Sequence, residues 1–266
     1  MTVRDEFGNP VSGVEVSLAA TGSGNALVQP TEATNAGGVT TGRLSATGVG
    51  SHVVSATAGG TAIEQTATVT VGAGAPVAAN SSASIPTSGT SEVVTTMSIQ
   101  LEDALGNPVA GAQGSIGVAI NGPNSGAAVS IEDQGGGLYR ATYTPRVAGN
   151  DLVEIRVVGA PIPGSPFTSA VAPGPVSPGT STASVTRGGG LFANIDVVVT
   201  ARDAQGNPTG RGGDDVRISV NGNTPISATD QGNGTYTASI ATFGFQFSVA
   251  ITLNGAAISG SPFEVP

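Results

Sequence analysis

Few side chains in this sequence have the types and spacing that chemistry requires. His52 is the only histidine and has no neighbouring candidate ligands, so we expect a half-exposed strand residue, not a metal ligand. Asp214 and Asp215, with Asp203, could offer oxygen ligands to Ca²⁺, but their spacing matches no calcium loop, which favours an acidic loop facing water. A serine nucleophile would have His52 alone as its base. The sequence therefore predicts no catalytic residue, no cofactor and no metal site, and the protein is not expected to be an enzyme.

The composition excludes several further functions. The chain of 266 residues has no Cys and no Lys, which removes disulfides, thiolate metal sites and Schiff-base chemistry. Its nine basic residues are dispersed arginines and its net charge is −9, so no basic surface is available for nucleic acid. No apolar run approaches the ~20 residues of a membrane span. Structural and protein-binding functions remain.

One six-residue motif, Asp-x-x-Gly-Asn-Pro, occurs three times, at residues 5–10, 103–108 and 203–208. The copies begin 103 − 5 = 98 and 203 − 103 = 100 residues apart, about the length of one β-sandwich domain. Gly-Asn tolerates positive φ, Pro fixes φ at the exit, and the Asp side chain can cap backbone N–H groups. The motif therefore predicts a corner between two early strands of each copy.

The stretches between these turns are typical of short β-strands. The chain has 41 Gly and 17 Pro, many in turn-like clusters, and Val, Ile and Thr fill the intervals. Period-two alternation predicts one buried face for each strand. The residues expected to face inward are Met97, Ile99, Leu101, Val153, Ile155 and Val157 in the second copy, and Val197, Val199, Ala201, Val249, Ile251 and Leu253 in the third.

Two later signatures support a family resemblance for the second and third copies. The pattern D-x-G-x-G-x-Y begins at Asp133 and Asp230, and G-x-x-I-x-G-S-P-F follows at Gly159 and Gly255. In this order the two patterns resemble those of filamin-type immunoglobulin-like repeats. The resemblance covers residues 85–171 and 184–265.

The first copy lacks both signatures. Its sequence TNAGGVTTGRL, residues 34–44, is similar to the bacterial immunoglobulin-like modules of the invasin/intimin type, which implies a Greek-key sandwich of the same general kind. The first copy also lacks the long strand-forming stretch that precedes the turn in the other two. We therefore expect its domain to be incomplete at the N-terminus, either because residue 1 is not the biological start or because processing has removed strands.

Together these features predict an all-β chain of tandem immunoglobulin-like β-sandwich domains. The expected boundaries are 1–72 for a bacterial immunoglobulin-like domain, then 73–172 and 173–266 for two filamin-like domains. The linkers at residues 72–84 and 172–184 are short and contain Pro. We therefore expect the domains to form a semi-rigid rod, like beads on a stiff string.

The resemblance also implies a binding mode. Filamin-type repeats bind partners by adding a strand beside their C strand, and an edge strand has unpaired backbone groups for this purpose. The alternative is that the corresponding residues are ordinary core positions. The residues implied are Ile116, Val118 and Ile120 in the second copy and Val216, Ile218 and Val220 in the third.

The predicted function is that of a non-catalytic structural or interaction module of a bacterial exported protein. It would lie in the extracellular space, at the cell surface or in the periplasm, as a surface spacer, an adhesin stalk or an accessory subunit docked on a larger assembly. One alternative is a filamin-like cytoskeletal scaffold. The other is a carbohydrate-binding module, which needs exposed aromatic platforms, whereas this chain has no Trp and its few aromatic residues are expected mostly in the core.

Overall fold

The computed structural model describes all residues, 1–266, and its regular structure consists almost entirely of strands. The exception is a single 3₁₀ turn at Gln113–Ser115, and the structure contains no helix with the length and apolarity that a membrane span requires. No sheet combines strands from more than one of the ranges 1–72, 73–172 and 173–266, which we call the first, second and third segments. The all-β prediction is confirmed.

The first segment contains six strands: β1 (Val16–Ala20), β2 (Asn25–Val28), β3 (Arg43–Ala46), β4 (Gly50–Ala58), β5 (Thr61–Ala62) and β6 (Ala67–Val71). Strand β4 pairs with β1, β5 and β6, and β2 pairs with β3 in a separate sheet. Only two apolar side chains of this segment, Val16 and Ala56, are buried. Its core is therefore much smaller than those of the other segments.

His52 lies in this small core, so the expectation that it is half exposed was wrong. Its side chain is 1% exposed, and Nε2 lies 2.9 Å from the carbonyl oxygen of Gly48. The imidazole occupies space that Gly22 leaves free, because a Cβ on Gly22 would lie 2.4 Å from Nδ1. The single histidine is thus a packing residue of the first segment.

The second segment contains nine strands: β7 (Ser82–Ser84), β8 (Ser88–Thr90), β9 (Thr95–Gln100), β10 (Ile116–Asn121), β11 (Ser130–Asp133), β12 (Leu138–Tyr143), β13 (Gly149–Val157), β14 (Ala160–Pro161) and β15 (Phe167–Ala172). One sheet has the order β11-β12-β9-β7 and the other β10-β13-β15-β8, with β14 beside β13. Thirteen buried apolar residues fill the space between them, and they include all six that alternation predicted.

The third segment repeats this plan: β16 (Thr182–Arg187), β17 (Phe192–Thr200), β18 (Val216–Val220), β19 (Ile226–Ser227), β20 (Thr229–Asp230), β21 (Thr235–Phe243), β22 (Phe247–Leu253), β23 (Ala256–Ala257) and β24 (Phe263–Val265). Its sheets have the orders β16-β17-β21-β20 and β19-β18-β22-β23, with β24 beside β22. Fourteen buried apolar residues form its core, again including all six predicted from alternation.

Candidate functional site: the joints, the sheet edges and an exposed aromatic face

The three repeated turns share one geometry, which is the one predicted. In each copy, Oδ1 of the Asp accepts the backbone N–H groups two and four residues further along the chain, at 2.8–3.0 Å. The Gly of each turn has φ between 78° and 84°, a region that favours glycine. The Asp residues are therefore structural caps.

The second and third turns also hold the chain as it enters their segments. The backbone N–H of Gly74 donates to Oδ2 of Asp103 at 2.9 Å, and that of Gly174 donates to Oδ2 of Asp203 at 2.9 Å. Both linkers are thus bonded to the turn of the segment that follows them. This contact limits the directions in which each linker can leave.

Hydrogen bonding holds the carboxylates of these turns in their charged form. The Asn107 side chain is the main cause of a pKa for Asp103 well below its usual range, and the N–H of Gly74 adds to it. For Asp203, burial by itself would raise the pKa. The hydrogen bonds from Asn207 and Gly174 outweigh burial, so that its pKa is lowered overall. Each turn is therefore built around an ionised Asp.

Asn207 joins the third segment to the second. Its Nδ2 donates to the carbonyl oxygen of Arg146 at 2.8 Å and to Oγ of Ser91 at 3.3 Å, and its Oδ1 accepts the backbone N–H of Ala148 at 3.0 Å. The residue is 7% exposed, so these bonds are largely shielded from water. One side chain of the repeated turn thus binds three groups on the end face of the preceding segment.

The end face that receives Asn207 is held in place from within the second segment. Oδ1 of Asn124 accepts the N–H groups of Arg146 and Val147 at 2.7 and 2.9 Å, and its Nδ2 donates to Asp151. Tyr143 donates its hydroxyl to the same buried Asp151 at 3.1 Å. Burial and the Asp151 charge raise the pKa of Tyr143 to about 12, so the tyrosine remains a donor. The loop that meets the third segment therefore has a fixed shape.

The other two turns form fewer contacts beyond their own segments. Nδ2 of Asn107 donates to the carbonyl oxygen of Thr47 at 2.9 Å, which is the single hydrogen bond between the first and second segments. Nδ2 of Asn9 donates only to Asp5, within its own turn, and the neighbouring Phe7 is 81% exposed. The same motif thus forms an extensive joint, a sparse joint and an uncovered turn.

Strand β10, which carries Ile116, Val118 and Ile120, lies at the edge of its sheet. It pairs with β13 alone, and alternation along an antiparallel pair directs the backbone groups of these three residues away from β13. The carbonyl oxygen of Ile120 accepts the N–H of Gly126 at 3.2 Å. The backbone of Val118 has no neighbouring strand. The side chains of the two isoleucines are buried, and that of Val118 is half-buried.

Strand β18, which carries Val216, Ile218 and Val220, is not at an edge. The two-residue strand β19 pairs with it at Ile218, and the N–H of Ala228 donates to the carbonyl oxygen of Val216 at 3.0 Å. All three predicted side chains are buried. Of the two expected binding strands, the structure leaves only β10 open along its backbone.

The carboxylates considered for Ca²⁺ are each bonded to other groups of the protein. Asp214 accepts the hydroxyl of Tyr236 and the amide of Asn254, both at 3.0 Å, and Asp215 pairs with Arg217. Asp203 belongs to the buried turn described above. No group of three or more His, Cys, Asp or Glu side chains comes together in an arrangement that could hold a metal ion.

Sequence reasoning missed the aromatic residues at the ends of the array. Six of the ten aromatic residues are buried or packed against a core, as expected, but four of the seven Phe are between 62% and 81% exposed. Three of them are found at the ends of strands β17 and β21 or directly after β21, and the fourth lies in the first repeated turn. The four are Phe7, Phe192, Phe243 and Phe245.

Three of these phenylalanines, with Leu191, form what we call the terminal aromatic face of the third segment. Phe192 and Phe243 are paired in register between β17 and β21, and their ring centroids are 4.9 Å apart. The guanidinium carbon of Arg187 lies 5.5 Å from the ring centroid of Phe245. Arg187 also donates to the carbonyl oxygens of Gly190 and Gly244, so it links the two loops that carry the face.

Comparison with known protein families supports the resemblances stated for the first and second copies. The family described as "Filamin/ABP280 repeat" matches residues 75–168, and "Bacterial Ig-like domain (group 1)" matches residues 1–72. Rat Filamin-C is 32% identical over 142 residues, which is 52% of this chain and 5% of Filamin-C. The chain therefore spans a small part of the curated relatives that it matches.

The solved structures that resemble the whole chain include two bacterial proteins, FdeC and invasin. The Escherichia coli adhesin FdeC is 26% identical with a TM-score of 0.70, covering 99% of this chain and 89% of FdeC. Invasin, a bacterial integrin-binding protein, is 22% identical with a TM-score of 0.54, covering 99% of this chain and 55% of invasin. The prediction of immunoglobulin-like sandwiches in tandem is confirmed, and the matched families and structures are immunoglobulin-like structural or adhesin domains.

Proposed function

We propose that this chain is a non-catalytic stalk or spacer of a bacterial surface protein, lying outside the cytoplasm. The main support is its similarity over 99% of its length to an adhesin, together with segments joined end to end by the repeated turn. The independent domains 1–72, 73–172 and 173–266 are part of this proposal. The proposal also includes the lack of enzymatic activity and a role as an accessory subunit of a larger assembly.

The joint formed by Asn207 is the feature that suits a stalk. A spacer has to keep its length, and hydrogen bonds between consecutive segments reduce bending. The residues that form these bonds belong to a turn that each segment already has. The groups that Asn207 binds are two backbone groups and one serine hydroxyl. Such a joint depends on the shape of the preceding end face more than on its side chains, so a repeated turn can be reused along an array.

Location in native cells tests this proposal. Antibodies raised against the chain are applied to intact cells and to cells opened by lysis, with a cytoplasmic protein as the control. We expect labelling of intact cells, and loss of the signal when external protease is added before lysis. A signal that appears only after lysis, together with the cytoplasmic control, would exclude the surface role and favour the cytoskeletal scaffold.

A second function, strand addition at β10, is favoured by one specific observation. Val118 presents its backbone N–H and C=O at a sheet edge without a neighbouring strand, whereas β19 covers the equivalent strand β18. An extended partner segment could pair there by backbone hydrogen bonds. We therefore place the protein-binding edge in the second segment, at Val118, and not at Val216, Ile218 and Val220.

Two substitutions at Val118 separate backbone pairing from side-chain contact. Val118→Pro removes the N–H that a partner strand would use, and Val118→Ala keeps it. We expect the Ala variant to capture the same proteins from native envelope extracts as the unaltered chain does. We expect the Pro variant to capture none of them. Equal capture by both variants would rule out strand addition at this edge.

A further inference from the structure

One strand pair of the second segment is parallel, whereas every other strand pair in the chain is antiparallel. Strands β8 and β15 form it, with Ala170 opposite Ser88 and Ala172 opposite Thr90. In chain order, β8 is the first strand of its sheet and β15 is the last strand of the segment. The chain therefore enters this sheet through one member of the pair and leaves it through the other.

Backbone hydrogen bonds join β8 and β15 along the whole pair. The N–H of Ala170 donates to the carbonyl oxygen of Thr87 at 2.9 Å, and the N–H of Ser91 donates to that of Ala172 at 2.9 Å. Between these two bonds, the parallel register directs both backbone groups of Gly89 to β15. The pair closes the sheet at the edge opposite to β10.

Tension along the array would act on this pair in a defined direction. A pull through the two linkers draws β15 toward its C-terminus and, once β7 has detached from β9, draws β8 toward its N-terminus. Because the two strands run in the same direction, these pulls slide one strand along the other. Sliding stretches all hydrogen bonds of the pair at once, whereas separation from one end breaks them singly. The second segment is thus arranged to resist tension at this pair.

The repeated turn of the third segment holds the C-terminal ends of both strands. Nδ2 of Asn207 donates to Oγ of Ser91, directly after β8, at 3.3 Å. Oδ2 of Asp203 accepts the N–H of Gly174, two residues after β15, at 2.9 Å. The turn therefore bridges the two strands where they leave the pair, so separation from this end requires the joint to open.

We propose that the β8–β15 pair, with the bridge formed by Asn207 and Asp203, is the element that limits extension of the second segment under tension. Tension loads the pair by sliding, and the bridge keeps its hydrogen bonds from opening one after another. A stalk that holds a cell to a surface is under such tension. The use of this resistance rests on the proposed stalk function, whereas the resistance itself is a property of the fold and can be measured on the purified chain.

Single-molecule force measurements on the 266-residue chain test the proposal. Because the chain has no Cys, introduced cysteines define where the force is applied. Attachment at Gly72→Cys and Pro175→Cys slides β8 along β15, whereas attachment at Val93→Cys and Pro175→Cys separates the same pair from one end; all three positions are exposed. We expect the second segment to unfold at a higher force in the first arrangement than in the second. Equal forces in the two arrangements would overturn the proposal.

Two prolines in β15 separate the pair from the rest of the segment. Ala170→Pro removes the N–H that donates to Thr87, and Thr168→Pro is the matched control. Thr168 is exposed like Ala170, and its N–H faces the same edge beyond the end of β8, where it forms no hydrogen bond. Under constant force between positions 72 and 175, Ala170→Pro should raise the unfolding rate about tenfold, and Thr168→Pro should change it little.

Asn207→Ala opens the bridge without altering either strand, so it should also raise the unfolding rate of the second segment under the same force. Rates that stay unchanged in Ala170→Pro and Asn207→Ala would overturn the proposal. Equal increases in Ala170→Pro and Thr168→Pro would do the same, because they would assign the resistance to another part of the segment. None of these results depends on where the protein lies in the cell, so they are distinguishable from a failure of the stalk function.

Discussion

At the scale of single residues, the repeated Asn separates this protein's turns from ordinary β-turns. The Asp carboxylate accepts the same backbone N–H groups in all three copies, and the Asn side chain donates to that carboxylate in each. In the second and third turns the Asn side chain also bonds to groups outside the turn. Turn propensity explains Asn by its tolerance of positive φ, so the corner was predicted correctly from the sequence and the joint was missed. The conservation of Asn among the three copies was the available signal.

Replacing Asn207 by Ala should weaken the joint between the second and third segments. The change leaves the N–H of Ala148 and the carbonyl of Arg146 without their partner, and each unpaired buried group costs about 1–3 kcal/mol. Urea unfolding should therefore show a lower free energy of unfolding. Asn9→Ala is the matched control, because Asn9 bonds only within its exposed turn, and we expect a change within about 0.5 kcal/mol. Equal effects from both variants would contradict a role in the joint.

The low pKa values of Asp103 and Asp203 predict a loss of stability in acid. A carboxyl whose folded pKa lies below its unfolded value of about 3.9 stabilises the fold fully above that value. This stabilisation is lost as pH falls through the folded pKa. Thermal unfolding should therefore be nearly constant between neutral pH and pH of about 5 and should move to lower temperature below pH of about 4. The double variant Asp103→Asn/Asp203→Asn should show a smaller dependence on pH; an unchanged dependence would assign the effect to other carboxyls.

At the scale of elements, the alternation of apolar and polar residues predicted those strands that have one buried and one exposed face. Met97, Ile99 and Leu101 are fully buried, as are Val249 and Ile251, because one face of each strand meets a core. A strand of two residues is too short to show an alternation of buried and exposed side chains. Strand β19 was therefore missed, and with it the covering of β18. Exposed Phe residues were missed for a related reason, since hydrophobicity alone does not distinguish a core position from the end of a strand.

Adjacent prolines in β10 should have opposite consequences. The N–H of Val118 points to the open edge, so Val118→Pro removes no hydrogen bond of the sheet. The N–H of Ala119 points to β13, where Ala119 is paired with Glu154, so Ala119→Pro leaves a carbonyl unpaired and should cost about 1–3 kcal/mol more. The free energy of unfolding of both variants measures this difference. If Val118→Pro were the more destabilising, the edge would not have the orientation described.

At the scale of the whole molecule, the three segments differ in how much stability they contribute on their own. Cores of 13 and 14 buried apolar residues support the second and third segments, whereas the first buries two apolar side chains. Burial of apolar side chains is the main favourable contribution to folding. The first segment therefore depends more than the others on its contact with a neighbour. That contact is also the sparser of the two joints.

The two joints should consequently differ in stiffness. The chain has no Cys, so pairs of introduced cysteines can carry spin labels without background. Labels at Thr70 and Ser98 span the first joint and labels at Ser98 and Val198 span the second, all at exposed strand positions. Asn107 forms one hydrogen bond across the first joint, whereas Asn207 forms three across the second. Pulsed dipolar spectroscopy should therefore give a broader distance distribution for the first pair than for the second. Asn207→Ala should broaden the second distribution and leave the first unchanged. Two equally narrow distributions, both insensitive to Asn207→Ala, would mean that linker length and proline, not the repeated turn, set the stiffness of the rod.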